Sequence, residues 1–347
     1  HYQHLFEHKP DCIAVDLHPE YLSSKLGRAQ ANFGHLPVFD IQHHHAHLAA
    51  CLVENGICVT TAPVLGVVLD GLGYGEDDTM WGGEFLLADY AGFTRVGTFK
   101  PVPMLGGTQA IKEPWRNTYA HVMAEMGWAE FAMNYSDLPL CNFLEKKPRV
   151  MLDRMLNHRI NSPLASSCGR LFDAAAAAMG ICTEHVFYEG QAAMEMEALV
   201  DEDTLHHEDE SLAYPFSILR LKHSGLPYVE PLGMWQALLG DLILHTPVPV
   251  MAARFHKGLA NVICQMVTQG SQSPDGHDRH QTMVLSGGVF QNQVLFELVK
   301  GKLTAEGFNV LSHKQVPMND GGIALGQAAI AAARSLQETN EVRSTCV

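Results

Sequence analysis

Short apolar runs alternate with amphipathic stretches along the chain, which predicts an α/β fold. His1 to Phe6 reads as the end of an amphipathic helix. Cys12 to Asp16 and Leu36 to Ile41 are buried-strand patterns. A helix is expected from about His43 to Asn55, stopped by Gly56. Pro63 to Leu69 is an apolar, β-branched strand that runs into Asp70-Gly71-Leu72-Gly73-Tyr74-Gly75, read as a glycine turn. Trp81 to Leu87 and Phe93 to Phe99 complete an antiparallel meander. Glu113 to Asn161 is mostly helical, and Phe172 to Met179 is a tightly packed, alanine-rich helix. Ala192 to Leu199 continues as helix, and strand-like pieces surround Tyr214 to Leu221. Ala252 to Gln269 is an amphipathic helix, and Gly270 to Gln281 is a surface loop. Met283 to Leu285 forms a strand before Ser286-Gly287-Gly288. Phe308 to Leu311 is a late strand, and Gly322 to Arg334 is a closing helix.

Two strands that run into glycines, one in each half, suggest a nucleotide in a cleft between two lobes. The expected division is a first lobe over 1–110, a second over 111–335 with a helical insertion, and a flexible tail over 336–347. The opening strands of the first lobe are expected to lie upstream of this chain.

The chemistry concentrates in four places. In His43-His44-His45-Ala46-His47, positions four apart share a helix face, so His43 and His47 can hold one metal ion. Zinc or iron suits imidazole, and a third ligand would be a carboxylate. Read alone, the cluster is also compatible with a polar helix start. Gly71 and Gly73 allow backbone N–H groups to approach a phosphate, and Asp70 could coordinate a metal; a plain hairpin turn fits equally well. Ser286, Gly287 and Gly288 follow the same logic, with Asn292 in the first helical turn behind them. Asp320, in Asn319-Asp320-Gly321-Gly322, is either an N-cap or the completing carboxylate. Asp173 and Glu195 could face a ligand or solvent. Lys112 and Arg116 flank Trp115, four apart, and could meet an anion.

Composition narrows the field. The net charge is −15, which disfavours a nucleic-acid partner, because such binders rely on a basic face. No apolar run reaches the length of a membrane span. The 8 cysteines contain no C-x-x-C pair and read as reduced thiols of a cytoplasmic protein.

The segments IQHHHAHLAACLVENG, VLDGLGYGEDDTMWGGEF, TFKPVPMLGGTQAIKEPWRNTYAH, SSCGRLFDAAAAAMGI, YEGQAAMEMEAL, LSGGVFQN and NDGGIALGQA together resemble the HypF family, carbamoyltransferases of NiFe-hydrogenase maturation. The resemblance implies the two-lobed actin/hexokinase-like (ASKHA) fold with RNase H-like lobes, shared with the tRNA threonylcarbamoyl-transferases. It implies a metal at His43, His47 and Asp320, with Asp70 as an extra ligand. It places Gly71, Asp173, Gly190, Glu195, Gly288 and Asn292 at the nucleotide, although the relatives have a double glycine where this chain has Gly190-Gln191; Gly73, Ser286 and Gly287 join them as nucleotide candidates from the glycine pattern. His44, Lys112 and Arg116 are the candidate catalytic side chains. The implied cofactors are a divalent zinc or iron ion, the ATP/AMP moiety of carbamoyl-adenylate, and magnesium. The implied partners are a HypE-type acceptor with a C-terminal cysteine and upstream domains of the same polypeptide. A tRNA threonylcarbamoyl-transferase-like enzyme and a non-catalytic actin-like nucleotide-binding domain are the alternatives.

Overall fold

The computed structural model describes residues 5–272 and 280–345, so the segments expected at His1–Phe6 and Gly270–Gln281 lie partly outside it. Strands β1 (Ile13–Asp16) and β2 (Val38–Ile41) pair in parallel as a small sheet of their own. The helix between them, Leu22–Gly34, buries only Ser24 and Ala31. With so little buried face it left no apolar stripe to read.

The second sheet is larger. It is built on β3 (Val64–Tyr74), β4 (Met80–Ala88) and β5 (Phe93–Phe99), the antiparallel meander expected from the pattern. Strands β6 (Val102–Pro103) and β7 (Leu164–Ala165) attach beside β4. The hairpin β8 (Ser217–Arg220) and β9 (Pro227–Glu230) extends the β5 edge. Strands β10 (Thr282–Ser286) and β11 (Asn309–Leu311) extend the other edge, so the main order is β11-β10-β3-β4-β5-β9-β8. Because β10 pairs in parallel with β3, one continuous sheet crosses the division expected at residue 110.

The histidine helix, His43–Glu54, lies between this sheet and the closing helix, Ile323–Thr345. Ala46, Leu48, Ala49 and Leu52 pack with Val64, Val68, Leu86 and Val284 below and Ile330 and Ala333 above. A Cβ at Gly326 would overlap the Ala46 carbonyl, so the two helices meet backbone to backbone. The closing helix runs on through residues 336–345, most of the segment expected as a tail. Four successive helices fill 115–158. The alanine helix, Cys168–Ala178, and the long helix Val248–Gly270 cover the sheet within the main core. The helix Leu232–Ile243 was not signalled in sequence; Met234, Trp235, Leu238 and Leu239 are buried in a run with almost no polar face.

One sequence reading is corrected here. Asp70 to Tyr74 is not a turn: β3 continues through it, with a bulge between Leu69 and Gly73, and the reversal comes at Gly75, whose N–H bonds Thr79 O at 2.9 Å. The glycines make room. A Cβ at Gly73 would come 2.5 Å from His44 Cε1 and 2.8 Å from His43 Cδ2, so the histidine helix can lie against the strand only because that position is bare.

Candidate metal and nucleotide site

The histidine helix starts where it does because Gln42 caps it. The Gln42 side chain accepts from His45 N at 2.9 Å and donates to Tyr74 O at 3.2 Å, tying the first turn to β3. With that register fixed, His43 and His47 present Nε2 atoms to one point. Asp70 Oδ2 lies 3.2 Å from His43 Nε2 and 3.1 Å from His47 Nε2. Asp320 Oδ1 lies 3.4 Å and 3.5 Å from the same atoms. All four ligand atoms fall within 4.8 Å of one another.

This donor set fits a divalent cation. His47 Nε2 is buried and makes no hydrogen bond despite its short distance to Asp70, an orphaned atom that a metal would satisfy. Two imidazole nitrogens and two carboxylate oxygens suit zinc or iron. The Asp320 side chain is 67% exposed whereas the histidines are buried, so the cluster has one open side. The Asp320 side chain does not cap: Asn319 takes that part, accepting from Gly321 N at 3.0 Å.

A partner that the sequence reading missed is Asp16, at the end of β1. Its Oδ2 bonds His43 Nδ1 at 2.8 Å, the carboxylate–histidine arrangement that fixes which ring nitrogen is free to ligate. The signal was there: in Ile13-Ala14-Val15-Asp16 an apolar strand run meets aspartate, as in Val67-Val68-Leu69-Asp70. Burial opposes charge on His43, but the bonds to Asp16, Asp320 and Asp70 hold its pKa well above the ordinary value. His47 is likewise held up against its burial by the nearby Asp320 and Asp70 carboxylates. Asp70 lies well below the usual carboxylate range: its burial is outweighed by the two histidines.

Asp70 also joins the two glycine segments. Its Oδ1 accepts from Gly71 N at 2.8 Å and from Gly288 N at 3.3 Å. The Gly287 N–H is taken by Met318 O at 3.0 Å. These three donors, expected to face phosphate, are thus engaged within the protein. Ser286 likewise turns inward, its Oγ donating to His47 O at 3.1 Å and meeting His313 Nε2 at 2.8 Å; His313 Nδ1 reaches Glu54 Oε2 at 3.1 Å. Asn292 caps the helix Gln293–Ala305 through Leu295 N, and its amide meets His256 Nε2 at 2.9 Å.

The other expected residues are dispersed. His44 is fully buried beside Gly73, and desolvation pushes it well below the ordinary histidine value. Lys112 is exposed, and Arg116 pairs with Glu113 over the Trp115 ring. Asp173 is buried 2.7 Å from Arg170 Nη1, and burial raises it to about 6. Gly190 has φ +78 with open space around it, next to the helix Gln191–Ala198. Glu195 sits on the exposed face of that helix, bonded to Gln191 at 2.8 Å.

An α/β, actin-like (ASKHA) fold carrying a histidine–carboxylate cluster between two glycine segments defines the class. The family model described as "Carbamoyltransferase, Kae1-like Domain, second subdomain" matches residues 66–327, and that of the "HypF Kae1-like domain" matches residues 1–54. The chain belongs to the HypF carbamoyltransferase family. It is 38% identical over 341 residues to carbamoyltransferase HypF of Rhodobacter capsulatus, covering 96% of this chain and 41% of that protein. It is 36% identical to carbamoyltransferase HypF2 of Cupriavidus necator, covering 96% and 41%. Full-length HypF solved in a phosphate- and nucleotide-bound form superposes with a TM-score of 0.81 at 33% identity, over 95% of this chain and 48% of that one. HypF of T.kodakarensis gives 0.75 at 25% identity, over 94% and 40%. The chain therefore spans less than half the length of these relatives. Among the described residues no helix is long and apolar enough to cross a membrane.

Proposed function

We infer that this chain is the transfer unit of its family, moving an activated carbamoyl group, carried as the adenylate formed from carbamoyl phosphate and ATP, to the C-terminal cysteine of a HypE-type acceptor. The observation that carries the reading is Asp70. One of its oxygens faces the histidine pair and the other receives backbone N–H groups from both glycine segments, so the histidine cluster and the two glycine segments are coupled through one carboxylate, which supports a metal acting beside a nucleotide. Family membership supports the carbamoyl part.

His43, His47, Asp70 and Asp320 would hold the ion, which when bound supplies Lewis-acid polarisation of an acyl or phosphoryl oxygen. Asp16 holds the His43 ring so that Nε2 points at the cluster. The exposed Asp320 side gives the substrate its way in. The nucleophile comes from the acceptor. Its thiolate attacks the carbamoyl carbon, the anhydride C–O bond breaks, and AMP leaves with the electron pair.

The test is carbamoyl transfer to an acceptor peptide, read by mass spectrometry, with metal content measured alongside. His47→Ala and Asp320→Asn are expected to lose both bound metal and transfer while retaining the wild-type circular dichroism. Transfer at the normal rate in either variant would overturn the role given to the cluster.

A further inference from the structure

If the N–H groups of Gly71, Gly287 and Gly288 are spent on Asp70 and Met318, some other group must receive an anion arriving beside them. Arg170 sits in the first turn of the alanine helix, where Gly169 packs against β3; a Cβ there would lie 3.1 Å from Gly71 Cα. The residue is 5% exposed. A guanidinium has five donors, yet here Nε and Nη1 make no hydrogen bond. Nη1 lies 2.7 Å from Asp173 Oδ2 without bonding geometry, and Nη2 is 3.8 Å from Glu189 Oε1. Arg170 also lines a small cavity of about 20 Å³ together with Ser167, Asn117 and His121. A buried arginine that is ion-paired to Asp173 on one side and still has an Nε without a hydrogen-bond partner keeps donor capacity for a second anion.

The position such an anion would take is marked by Glu189. Its side chain is 68% exposed, on the loop before Gly190, and its carboxylate folds back onto the bare face of Gly71. A Cβ at Gly71 would come 2.8 Å from Glu189 Oε1 and 3.8 Å from Arg170 Nη2. An exposed carboxylate with open solvent available lies instead beside the guanidinium, one residue along β3 from Asp70.

We propose that Arg170 is the receptor for the phosphoryl oxygens of the adenylate, and that the Glu189 carboxylate holds that position until the nucleotide displaces it. The proposal rests on the nucleotide reading above and deepens it: Arg170 binds the leaving group, whereas the histidine cluster serves the metal. Arginine suits this role because its planar fork matches phosphate oxygens, which a lysine meets only as a point charge. Glu189 acts by competition, so removing its charge should help binding.

The experiment is AMP titration by calorimetry on the intact polypeptide, metal-loaded, with metal content checked in every sample. Arg170→Met is expected to weaken AMP binding about tenfold or more, as for loss of a charge-assisted bond. Arg170→Lys should fall between it and wild type. Glu189→Gln, on an exposed side chain that cannot endanger the fold, should tighten AMP binding several-fold, and metal content should not change in any variant. AMP that fails to bind the wild-type protein sinks the nucleotide reading and this proposal with it. AMP that binds wild type, Arg170→Met and Arg170→Lys alike sinks this proposal alone. An unchanged or weaker affinity in Glu189→Gln overturns the placeholder role of Glu189.

Discussion

β3 through Asp70–Tyr74 and β10 with Gly287–Gly288 behind it are both apolar strands running into glycine, and they meet in space at the Asp70 carboxylate. Their glycines do different work. In the first segment the backbone stays extended as strand, and the missing side chains admit neighbours: the histidine rings at Gly73, the Glu189 carboxylate at Gly71. In the second, Gly287 has φ +98 and ψ 153, a conformation essentially reserved for glycine, and a Cβ there would overlap the Leu69 carbonyl. One pattern in sequence thus encodes close approach in one place and a left-handed backbone in the other. What a substitution costs should depend on what its new methyl meets: fixed backbone, buried rings or the free end of an exposed side chain.

The largest effect is expected at Gly287→Ala, where both the dihedral and a backbone oxygen object. We expect a loss of about 4 kcal/mol or more in chemical denaturation, with the Gly288 contact to Asp70 lost as well. Asp70→Asn, which removes the group joining the segments, should cost about 2–3 kcal/mol in metal-free protein. Its pH dependence follows from the direction of each shift. The raised folded-state pKa of His43 gives stability present in full below about 6.5 and lost as pH rises through the raised value. The depressed pKa of Asp70 gives stability present above about 3.9 and lost as pH falls through the depressed value. Thermal melts of metal-free wild type and Asp70→Asn should therefore differ most between these limits, and converge as pH is raised through the histidine titration. A difference that is constant with pH would show that the His43–Asp70 pair is not the source.

Gly73→Ala should cost less, about 1–3 kcal/mol, because the rings of His43 and His44 can shift where a backbone cannot. That shift should nonetheless weaken metal affinity, measurable by chelator competition, since His43 is a ligand. The smallest effect is expected at Gly71→Ala. Its methyl meets the end of the exposed Glu189 side chain, which can swing away, so stability should move by no more than about 0.5 kcal/mol. Equal costs at Gly71 and Gly287 would refute the distinction drawn between the two segments.

The sequence reading located the histidine helix, the meander and the closing helix because each carries a strong local signal: helical spacing, alternating strands, a cap or a stop. It chose His43 and His47 over His44 and His45 from the periodicity of the helix alone, and the four candidate ligands do meet in one cluster. It read Asp70–Tyr74 as a turn, because a glycine that makes room and a glycine that bends the chain are written identically. It gave no part to Asp16 or Arg170. Asp16 matters only because β1 ends beside a helix 27 residues further on. The spare donor of Arg170 exists only because burial removed water from its Nε without supplying a hydrogen-bond partner there.

By itself, then, the sequence determined an α/β chain with a metal-competent histidine pair and two glycine-bearing strands, since these depend on spacing and residue type within a few positions. The tertiary structure decided which side chains share an atom. Asp70 became the link between metal and glycine segments because β3 and β10 pair in register, bringing residues more than two hundred positions apart to one carboxylate. Such pairings depend on packing across the sheet, and local periodicity carries no record of them.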